Sequence, residues 1–291
     1  MSDRAAEIVS GISELPPVPH VALRMNQLLH DRRATARDVS QLLASDPSVA
    51  SNVLSLANSA FYGANQRVGT LTHAVLVLGF NTVRNVVSAS SLMRALSSYS
   101  RVPDEEHFQF WRHSLACGTL SKLLAVRIGL ADCEELFLMG LLHDVGEIVL
   151  RGWCSESAAA IEARTDDGQS RNEAELEVLG TTHALVGGAL MERWQLPAGH
   201  VDVVRNHHTP SLARESELHA AIVHVADALV YALGHGITLQ AIAPRLDREA
   251  WAAVGIEPEH LTDLFRATLA GVEQIESFLK PAWRGSPVGC E

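Results

Sequence analysis

Helix-start signals recur along this chain, and they restrict its fold more than any other sequence feature. Asp46-Pro47 is typical of a helix N-cap followed by proline at the first helical position. Apolar residues then follow at helical spacing: Ala50, Val53, Leu54 and Ala57. Thr35 and Asp38 have the spacing of a capping box. Because no stretch alternates convincingly between apolar and polar residues, the sequence predicts an all-α protein.

A polar segment, SSYSRVPD at 97–104, divides the predicted helices into two groups. The first group predicts an N-terminal helical bundle over residues 8–100, and the second predicts a C-terminal helical bundle over 104–280 that packs against it. Within the second bundle, Asp132 and Glu135 suggest a capping box that starts one helix over 132–150. Residues 281–291 are expected to form a disordered tail.

The charge balance excludes some classes of partner. The formal net charge is −11 with histidines neutral, whereas binding to a phosphate backbone relies on Lys and Arg, so nucleic acid is not an expected partner. No apolar run approaches the roughly 18 residues of a membrane span, and the start MSDRAAEIVS lacks the apolar core of a signal peptide. We therefore expect a cytoplasmic protein without membrane contact.

One apolar stretch, FLMGLLHDVGEIVL at 137–150, contains an adjacent histidine and aspartate. Ionisable groups are costly to bury unless they are paired or bind a metal. Gly140 and Gly146 lie close to the face that carries His143, and such small residues let a neighbouring helix or a ligand approach the backbone. The stretch therefore predicts a buried polar site rather than simple core packing.

Further histidines and aspartates lie in similar apolar helical segments, and we predict that they meet in one pocket of the C-terminal bundle. The candidate metal ligands are His113, His143, Asp144, His183, His207, His208 and Asp227. A single histidine on an apolar helix is most simply a hydrogen-bonded core residue, but the adjacent pairs and Asp227 are harder to explain in this way. Imidazole and carboxylate groups suit a divalent transition metal such as Fe, Mn, Zn or Ni. The spacing does not distinguish these metals or decide between one ion and two.

At these residues the sequence resembles the HD superfamily of metal-dependent phosphohydrolases, whose ordered pattern is H…HD…D. His113, His143-Asp144 and Asp227 match that pattern, and the remaining histidines match those of two-metal members such as the HD-GYP phosphodiesterases. The segments LPPVPHVALRMNQLL, SDPSVASNVLSLANSAFYG and THAVLVLGFNTVRNVV resemble the HDOD family of bacterial signalling proteins. This resemblance covers roughly residues 10–235. It implies an HD-like metal site in a regulatory output domain that acts on signalling proteins in trans.

Two departures from the two-metal relatives bear on activity. Glu147 stands three residues after Asp144, where HD-GYP enzymes carry a lysine, and an anion there should oppose phosphate binding. Gln109, one turn before His113, offers an amide where those relatives can place a carboxylate, which implies a weakly held second metal. The GYP-containing loop is also absent from the sequence after the paired histidines, HHTPSLARESE. We therefore expect little or no hydrolysis of cyclic dinucleotides.

Two functions remain open from the sequence. The first is a signalling output domain that binds partner proteins and retains a metal site, and the second is a metal-dependent phosphohydrolase for a small phosphorylated ligand. An open pocket lined with Lys or Arg beside the metal would favour the enzyme, and a closed acidic pocket would favour the regulatory domain. For partner binding we propose Leu56, Phe61 and Tyr62, which precede Gly63 at a helix end, although the aromatic pair could instead pack inside the protein.

Overall fold

The computed structural model describes residues 2–12, 20, 21, 24, 25, 28, 33–58, 67–99, 103–153, 155–234 and 243–283. Every regular element within these ranges is helical, so the all-α prediction is confirmed for the described residues. The helices before residue 100 are α1 (Ser2–Gly11), α2 (Ala36–Ala44), α3 (Pro47–Ala57), α4 (Leu71–Leu78) and α5 (Phe80–Tyr99). Those that follow are α6 (Asp104–Ile128), α7 (Cys133–Leu142), α8 (Val145–Trp153), α9 (Ser155–Asp166), α10 (Arg171–Leu179), α11 (His183–Arg193), α12 (Ala198–Asn206), α13 (Glu217–Ala232), α14 (Arg248–Val254) and α15 (Leu261–Trp283).

The helices fall into two compact units that are not continuous in sequence. The small unit contains residues 16–98 and 270–291, and the large unit contains residues 1–15 and 99–269. The predicted break at 97–104 lies beside this division, but α1 belongs to the large unit rather than to an N-terminal bundle. The last helix continues to Trp283, three residues into the predicted tail, and residues 284–291 lie outside the described residues.

In the small unit, the helix-start signals behave as the sequence predicts. Thr35 and Asp38 form a reciprocal capping box at α2, and the Asp46 side chain accepts hydrogen bonds from the first turn of α3. The Asp46 carboxylate also pairs with Arg94 at 2.8 Å, which ties the start of α3 to α5. Asn58 follows α3, and its amide exchanges two hydrogen bonds with the backbone of Val68.

In the large unit, glycines allow helices to pack closely. A Cβ atom on Gly140 of α7 would lie 2.8 Å from the Cα of Gly118 in α6. A Cβ atom on Gly146 of α8 would lie 2.0 Å from the carbonyl oxygen of His183, the first residue of α11. Of the two uses predicted for these glycines, the structure therefore shows the approach of a neighbouring helix.

The predicted single helix over 132–150 is wrong, because it is interrupted at His143 and Asp144. Helix α7 ends at Leu142 and α8 begins at Val145. The His143 Nδ1–H donates to the carbonyl oxygen of Gly140 at 2.8 Å and so closes the last turn of α7. The capping box predicted at Asp132 is also wrong, since this side chain makes no cap hydrogen bond and instead pairs with His219 at 2.8 Å.

Among the described residues, no single helix is both long enough and apolar enough to cross a membrane. Helices α4 and α5 reach that length and apolarity only as a pair, and the pair is bent by 110°.

Candidate metal centre

The structure brings the seven candidate ligands together within the large unit. His113 comes from the middle of α6, and His143 and Asp144 come from the junction between α7 and α8. The other four come from the start of α11, the residues that follow α12, and the buried face of α13: His183, His207, His208 and Asp227. Six of the seven side chains are buried, and His208 is partly buried.

The Asp144 carboxylate lies between two groups of imidazoles. Its Oδ2 atom is 3.0 Å from Nε2 of His143 and 3.7 Å from Nε2 of His113. Its Oδ1 atom is 3.3 Å from Nε2 of both His183 and His207. One carboxylate therefore faces two sets of nitrogen ligands, as a carboxylate that bridges two metal ions would.

Each set has a further member. Asp227 Oδ1 is 3.2 Å from Nε2 of His113 and 3.6 Å from Nε2 of His143. His208 Nε2 is 2.8 Å from Nε2 of His183. The first set thus contains His113, His143 and both aspartates, and the second contains the other three histidines and Asp144. Within each of the groups His113–His143–Asp144 and Asp144–His183–His207–His208, one ligand atom per residue lies within 4.8 Å of all the others.

Hydrogen bonds on the far side of three imidazole rings fix which nitrogen faces the cluster. The Nδ1–H groups of His143 and His207 each donate at 2.8 Å to a backbone carbonyl, from Gly140 and Val204 respectively. The Nδ1–H of His183 donates at 2.6 Å to the Glu175 carboxylate. Because each Nδ1 carries the proton, Nε2 of the neutral ring is left with a free lone pair toward the cluster, as a metal ligand requires.

The charge distribution also shows a need for a cation. Burial opposes the charged form of His143 and His183, but the neighbouring carboxylates of Asp144 and Glu175 outweigh it and raise the pKa of both imidazoles well above its usual value. For Asp144 and Asp227, burial disfavours the charged form, yet the surrounding imidazoles lower the pKa of both carboxyls. The buried carboxylates therefore favour positive charge at this cluster.

Unpartnered buried atoms test whether a metal fits this cluster. Among the described residues, Asp144 Oδ1, Asp227 Oδ1 and His207 Nε2 are buried but make no hydrogen bond. Unsatisfied buried polar atoms cost about 1–3 kcal/mol each, and more when they are charged. Divalent ions would accept these lone pairs, and mixed imidazole and carboxylate donors suit transition metals. The cluster therefore suits a divalent metal.

A cavity of about 230 Å³ adjoins the cluster and opens it to solvent. Asp144, His183, His208 and Asp227 contribute to its wall. The other lining residues are Glu147, Ser170, Arg171, Asn172, Glu173, Thr209, His224, Tyr231, Pro244 and Arg245. Two arginines therefore lie on the wall of an open cavity that also exposes four candidate ligands.

The structure changes the interpretation of Glu147. Its side chain is only 3% exposed, and its Oε1 atom is 2.7 Å from Nε of Arg171. Arg151 lies on the other side, with Nη2 3.5 Å from Oε2. The sequence predicted that this anion would oppose phosphate binding, whereas the structure pairs the carboxylate with two guanidinium groups.

Sequence reasoning missed three residues around the cluster. Glu175 accepts hydrogen bonds from both the backbone N–H and the ring of His183, and Arg171 contacts Glu175 at 3.2 Å. His224 Nδ1–H donates to the carbonyl oxygen of His207, and its Nε2 accepts from the backbone N–H of Asp247. His224 was detectable, because it precedes Asp227 by one turn in the segment IVHVADAL. Arg171 and Glu175 have the spacing of an ordinary i,i+4 ion pair on one helix. Their other partners, Glu147 and His183, lie on different helices, so the sequence did not indicate a role at the cluster.

Gln109 and Leu56 are the remaining predicted residues that the structure describes. Gln109 is not among the described residues that line the cavity, and its amide donates to Glu105 on the same helix at 2.9 Å. Leu56 is 4% exposed and is part of the core of the small unit, which argues against its use as an exposed interface anchor. Phe61 and Tyr62 lie outside the described residues.

Similar proteins of known structure share this arrangement of helices. A protein of Shewanella amazonensis SB2B, provisionally named a phosphohydrolase, is 26% identical, with a TM-score of 0.72 over 94% of this chain and 97% of that chain. A protein of Marinobacter aquaeolei VT8, provisionally named a signal transduction protein, is 25% identical, with a TM-score of 0.73 over 92% of this chain and 60% of that chain.

Sequence comparison points to the same group of proteins. A curated protein of Treponema pallidum (strain Nichols), described as uncharacterised, is 27% identical over 206 residues. The match includes 70% of this chain but only 39% of the length of that relative. The family model of the HDOD domain matches residues 15–210, which include helices α2 to α5 of the small unit and six of the seven candidate metal ligands. The chain therefore belongs to the HDOD family.

Proposed function

We propose that this chain is a signal-transduction domain whose large unit binds two divalent metal ions and hydrolyses a small phosphate ester. The observation that carries this proposal is the position of Asp144. Its two oxygens face different imidazole groups, at 3.0 Å from His143 on one side and 3.3 Å from His183 on the other. A carboxylate shared in this way supports two adjacent ions rather than one.

The ligand set divides naturally between the two ions. His113, His143 and Asp227 would hold the first, and His183, His207 and His208 would hold the second, with Asp144 common to both. Bound divalent ions would supply Lewis acidity to a phosphoryl group and neutralise its negative charge. The protein's own contribution is to orient the imidazoles through Gly140, Val204 and Glu175, and to keep the cluster buried except at the cavity.

The cavity favours a phosphorylated ligand over a purely structural metal. It is open rather than closed, and Arg171 and Arg245 line it beside four of the candidate ligands. Guanidinium groups bind phosphate through paired hydrogen bonds. The sequence analysis expected an open pocket with Lys or Arg for an enzyme, and the cavity has both features, while four carboxylates also line it: Asp144, Glu147, Glu173 and Asp227. The provisional name of the Shewanella amazonensis protein supports the enzyme.

Elemental analysis and a hydrolysis assay test the proposal together. Protein purified without added metal should retain close to two divalent ions per chain. The metal-loaded protein should hydrolyse a generic phosphomonoester or phosphodiester, such as p-nitrophenyl phosphate or its bis ester. Asp144→Ala should lose both ions and all turnover, because both ions depend on this carboxylate.

A surface histidine supplies the matched control. His219→Ala removes an imidazole that pairs with Asp132 and does not line the cavity, so metal content and turnover should remain at wild-type levels. Turnover that survives in His143→Ala, or a wild-type protein that binds no divalent metal, would contradict the proposal.

Regulation without hydrolysis is the second candidate, and Glu147 favours it. This residue places a carboxylate rather than a cation on the cavity wall beside Asp144. In that case the metal centre would stabilise a domain that acts by binding signalling proteins in trans. Full metal occupancy without turnover of a phosphomonoester, a phosphodiester or a cyclic dinucleotide would support this second function over the first.

A further inference from the structure

We infer that Arg171 is the residue that binds the phosphate group of the ligand, and that Glu147 is the anchor that holds it in place. This inference rests on the proposed function, because it assumes that a phosphate enters the cavity beside the metal ligands. It assigns to Arg171, the first residue of α10, a direct contact with the ligand.

The position of Arg171 carries the inference. Its side chain lines the cavity together with Asp144, His183 and His208, so the guanidinium shares a wall with ligands of the proposed metal ions. The side chain is 28% exposed, which leaves part of it accessible to a molecule in the cavity. A phosphate bound to ions at the cluster would therefore lie beside this cation.

The contacts of Arg171 leave donors for a ligand. Its Nε atom makes the closest approach to both carboxylates, at 2.7 Å to Glu147 Oε1 and 3.2 Å to Glu175 Oε1. A guanidinium has five N–H donors, of which four belong to the two terminal nitrogens. Because Glu147 and Glu175 are approached most closely through Nε, the terminal nitrogens remain the donors that a phosphate would use.

The two carboxylates also fix the side chain before a ligand arrives. An arginine that must be immobilised on binding loses rotamer freedom, and this loss weakens affinity. Arg245 lines the same cavity but is exposed, whereas Arg171 is held from two sides. Of the two arginines, Arg171 is therefore the one whose side chain is pre-organised for phosphate binding.

A purely structural role for Arg171 makes different predictions. In that role the guanidinium would only neutralise Glu147 and Glu175. Loss of Arg171 and loss of the Glu147 charge would then change phosphate affinity by a similar factor. As a phosphate ligand, Arg171 would be required for binding, whereas removal of the Glu147 charge would leave its cation available.

The test is calorimetric titration of inorganic phosphate into the metal-loaded full chain. The metal content of each variant is measured first, because Arg171 also contacts Glu175, which orients His183. We expect Arg171→Gln to weaken phosphate binding at least ~10-fold, the size typical of a lost hydrogen bond between charged groups. Glu147→Gln loses the anchor but keeps the cation of Arg171, so its phosphate affinity should fall much less than that of Arg171→Gln.

Arg151→Gln is the matched control. Arg151 contacts the same Glu147 carboxylate, at 3.5 Å, but it is not among the described residues that line the cavity. Its loss should leave phosphate affinity within ~2-fold of the wild type, well below the effect of a charged hydrogen bond. If Arg171→Gln does not retain metal, Arg171→Lys keeps a cation beside Glu175, and its affinity should fall because a lysine lacks the paired donors of the guanidinium.

The outcomes separate this inference from the function on which it rests. Wild-type phosphate affinity in metal-loaded Arg171→Gln, or in Arg171→Lys where that variant is needed, would overturn the inference and leave the proposed function intact. Equal losses in Arg171→Gln and Glu147→Gln would also overturn it, in favour of the structural role. Metal-loaded wild type that does not bind phosphate would overturn both.

Discussion

At the scale of single residues, the sequence identifies the candidate metal ligands but not the residues that orient them. The seven metal-ligand candidates could be selected because His and Asp are conspicuous within apolar helices, and the structure brings their side chains together. The residues that orient them could not be selected in the same way. Glu175 lies eight residues before His183 on a separate helix, and its carboxylate is informative only once the fold brings the two together.

Removal of the Glu175 charge should weaken one metal position more than the other. In Glu175→Gln the ring of His183 loses its charged hydrogen-bond partner at 2.6 Å. Loss of such an outer partner commonly costs ~10–100-fold in metal affinity. We therefore expect the second ion to bind more weakly in a metal titration, with the first ion little affected.

Glu177→Gln is the control for that titration. Glu177 lies on the same helix, but its carboxylate is exposed and contacts Arg164 and Gln169. Its loss should leave both metal affinities unchanged. If Glu175→Gln lowered the affinity for both ions equally, Asp144 would transmit the change from one ion to the other. If the affinities of Glu175→Gln equalled those of the wild type, His183 would not be a metal ligand.

At the scale of helices, local signals predicted the starts more reliably than the interruptions. Thr35 and Asp46 both cap the helices that the sequence assigned to them. The break at His143 and Asp144 was not predictable from periodicity, because apolar residues continue on both sides of it. At the break the His143 ring closes the last turn of α7 through Gly140, and α8 then begins where Gly146 packs closely against α11, a contact that arises only from tertiary packing.

Contact between α8 and α11 should tolerate no side chain at Gly146. In Gly146→Ala, the new Cβ would lie 2.0 Å from the carbonyl oxygen of His183 and 2.6 Å from the backbone nitrogen of Gly187. Because both atoms are backbone, α11 must shift and carry His183 with it. We expect a loss of about 1–3 kcal/mol in the free energy of unfolding, together with weaker binding of the second ion.

Chemical denaturation and metal titration of this variant can be compared with Gly11→Ala. A Cβ atom at Gly11 meets nothing within 4 Å, so that change should be nearly neutral in stability and in metal binding. Unchanged stability in Gly146→Ala would mean that the two helices are less tightly packed than the structure indicates.

The cap of α3 should make the stability of the small unit depend on pH. Burial raises the pKa of Asp46, but the hydrogen bonds from Arg94, Val49 and Ser48 outweigh it and hold the pKa below 3.8. The carboxylate therefore contributes its full stabilisation above pH 3.8 and loses it as the pH falls through the folded-state pKa. Asp46→Asn should be less stable than the wild type at pH 7, and the difference should vanish in acid.

Urea denaturation of both proteins at neutral and acid pH measures this difference. Asparagine is itself a good N-cap, so the variant isolates the charge from the cap. Arg94→Gln should show the same loss at neutral pH, since it removes the other half of the ion pair. A difference between Asp46→Asn and the wild type that persists at low pH would show that the ion pair is not its cause.

At the scale of the whole molecule, the sequence predicted two groups of helices, but it did not predict that α1 packs within the large unit. Arg193 in α11 donates a hydrogen bond to the carbonyl oxygen of Val9, so α1 packs with a helix that is distant in the chain. The apolar residues of α1 are buried there: Ala5, Ile8 and Val9. The apolar face of an amphipathic helix predicts that this face is buried, but the sequence does not identify the helix that buries it.

Metal removal should destabilise the large unit and leave the small unit unchanged. Ligands that bind only the folded state stabilise it by about 2.7 kcal/mol at a hundredfold excess over Kd. For a unit of this size that corresponds to a shift of roughly 5–10 °C in Tm. Calorimetry with and without a chelator should show the shift, and the fluorescence of Trp111 and Trp194, which are buried in the large unit, should follow the same transition. A Tm that is insensitive to complete metal removal would contradict this prediction.

The placement of α1 has a consequence for synthesis on the ribosome. Translation produces α1 long before α11, and the 83 residues from 16 to 98 that belong to the other unit emerge in between. Domains tend to fold as units while the chain is being made. Most helices of the small unit can therefore pack together before α11 is made. Until then Ile8 and Val9 lack the helix that buries them in the complete fold. During that interval the apolar face of α1 remains in contact with water.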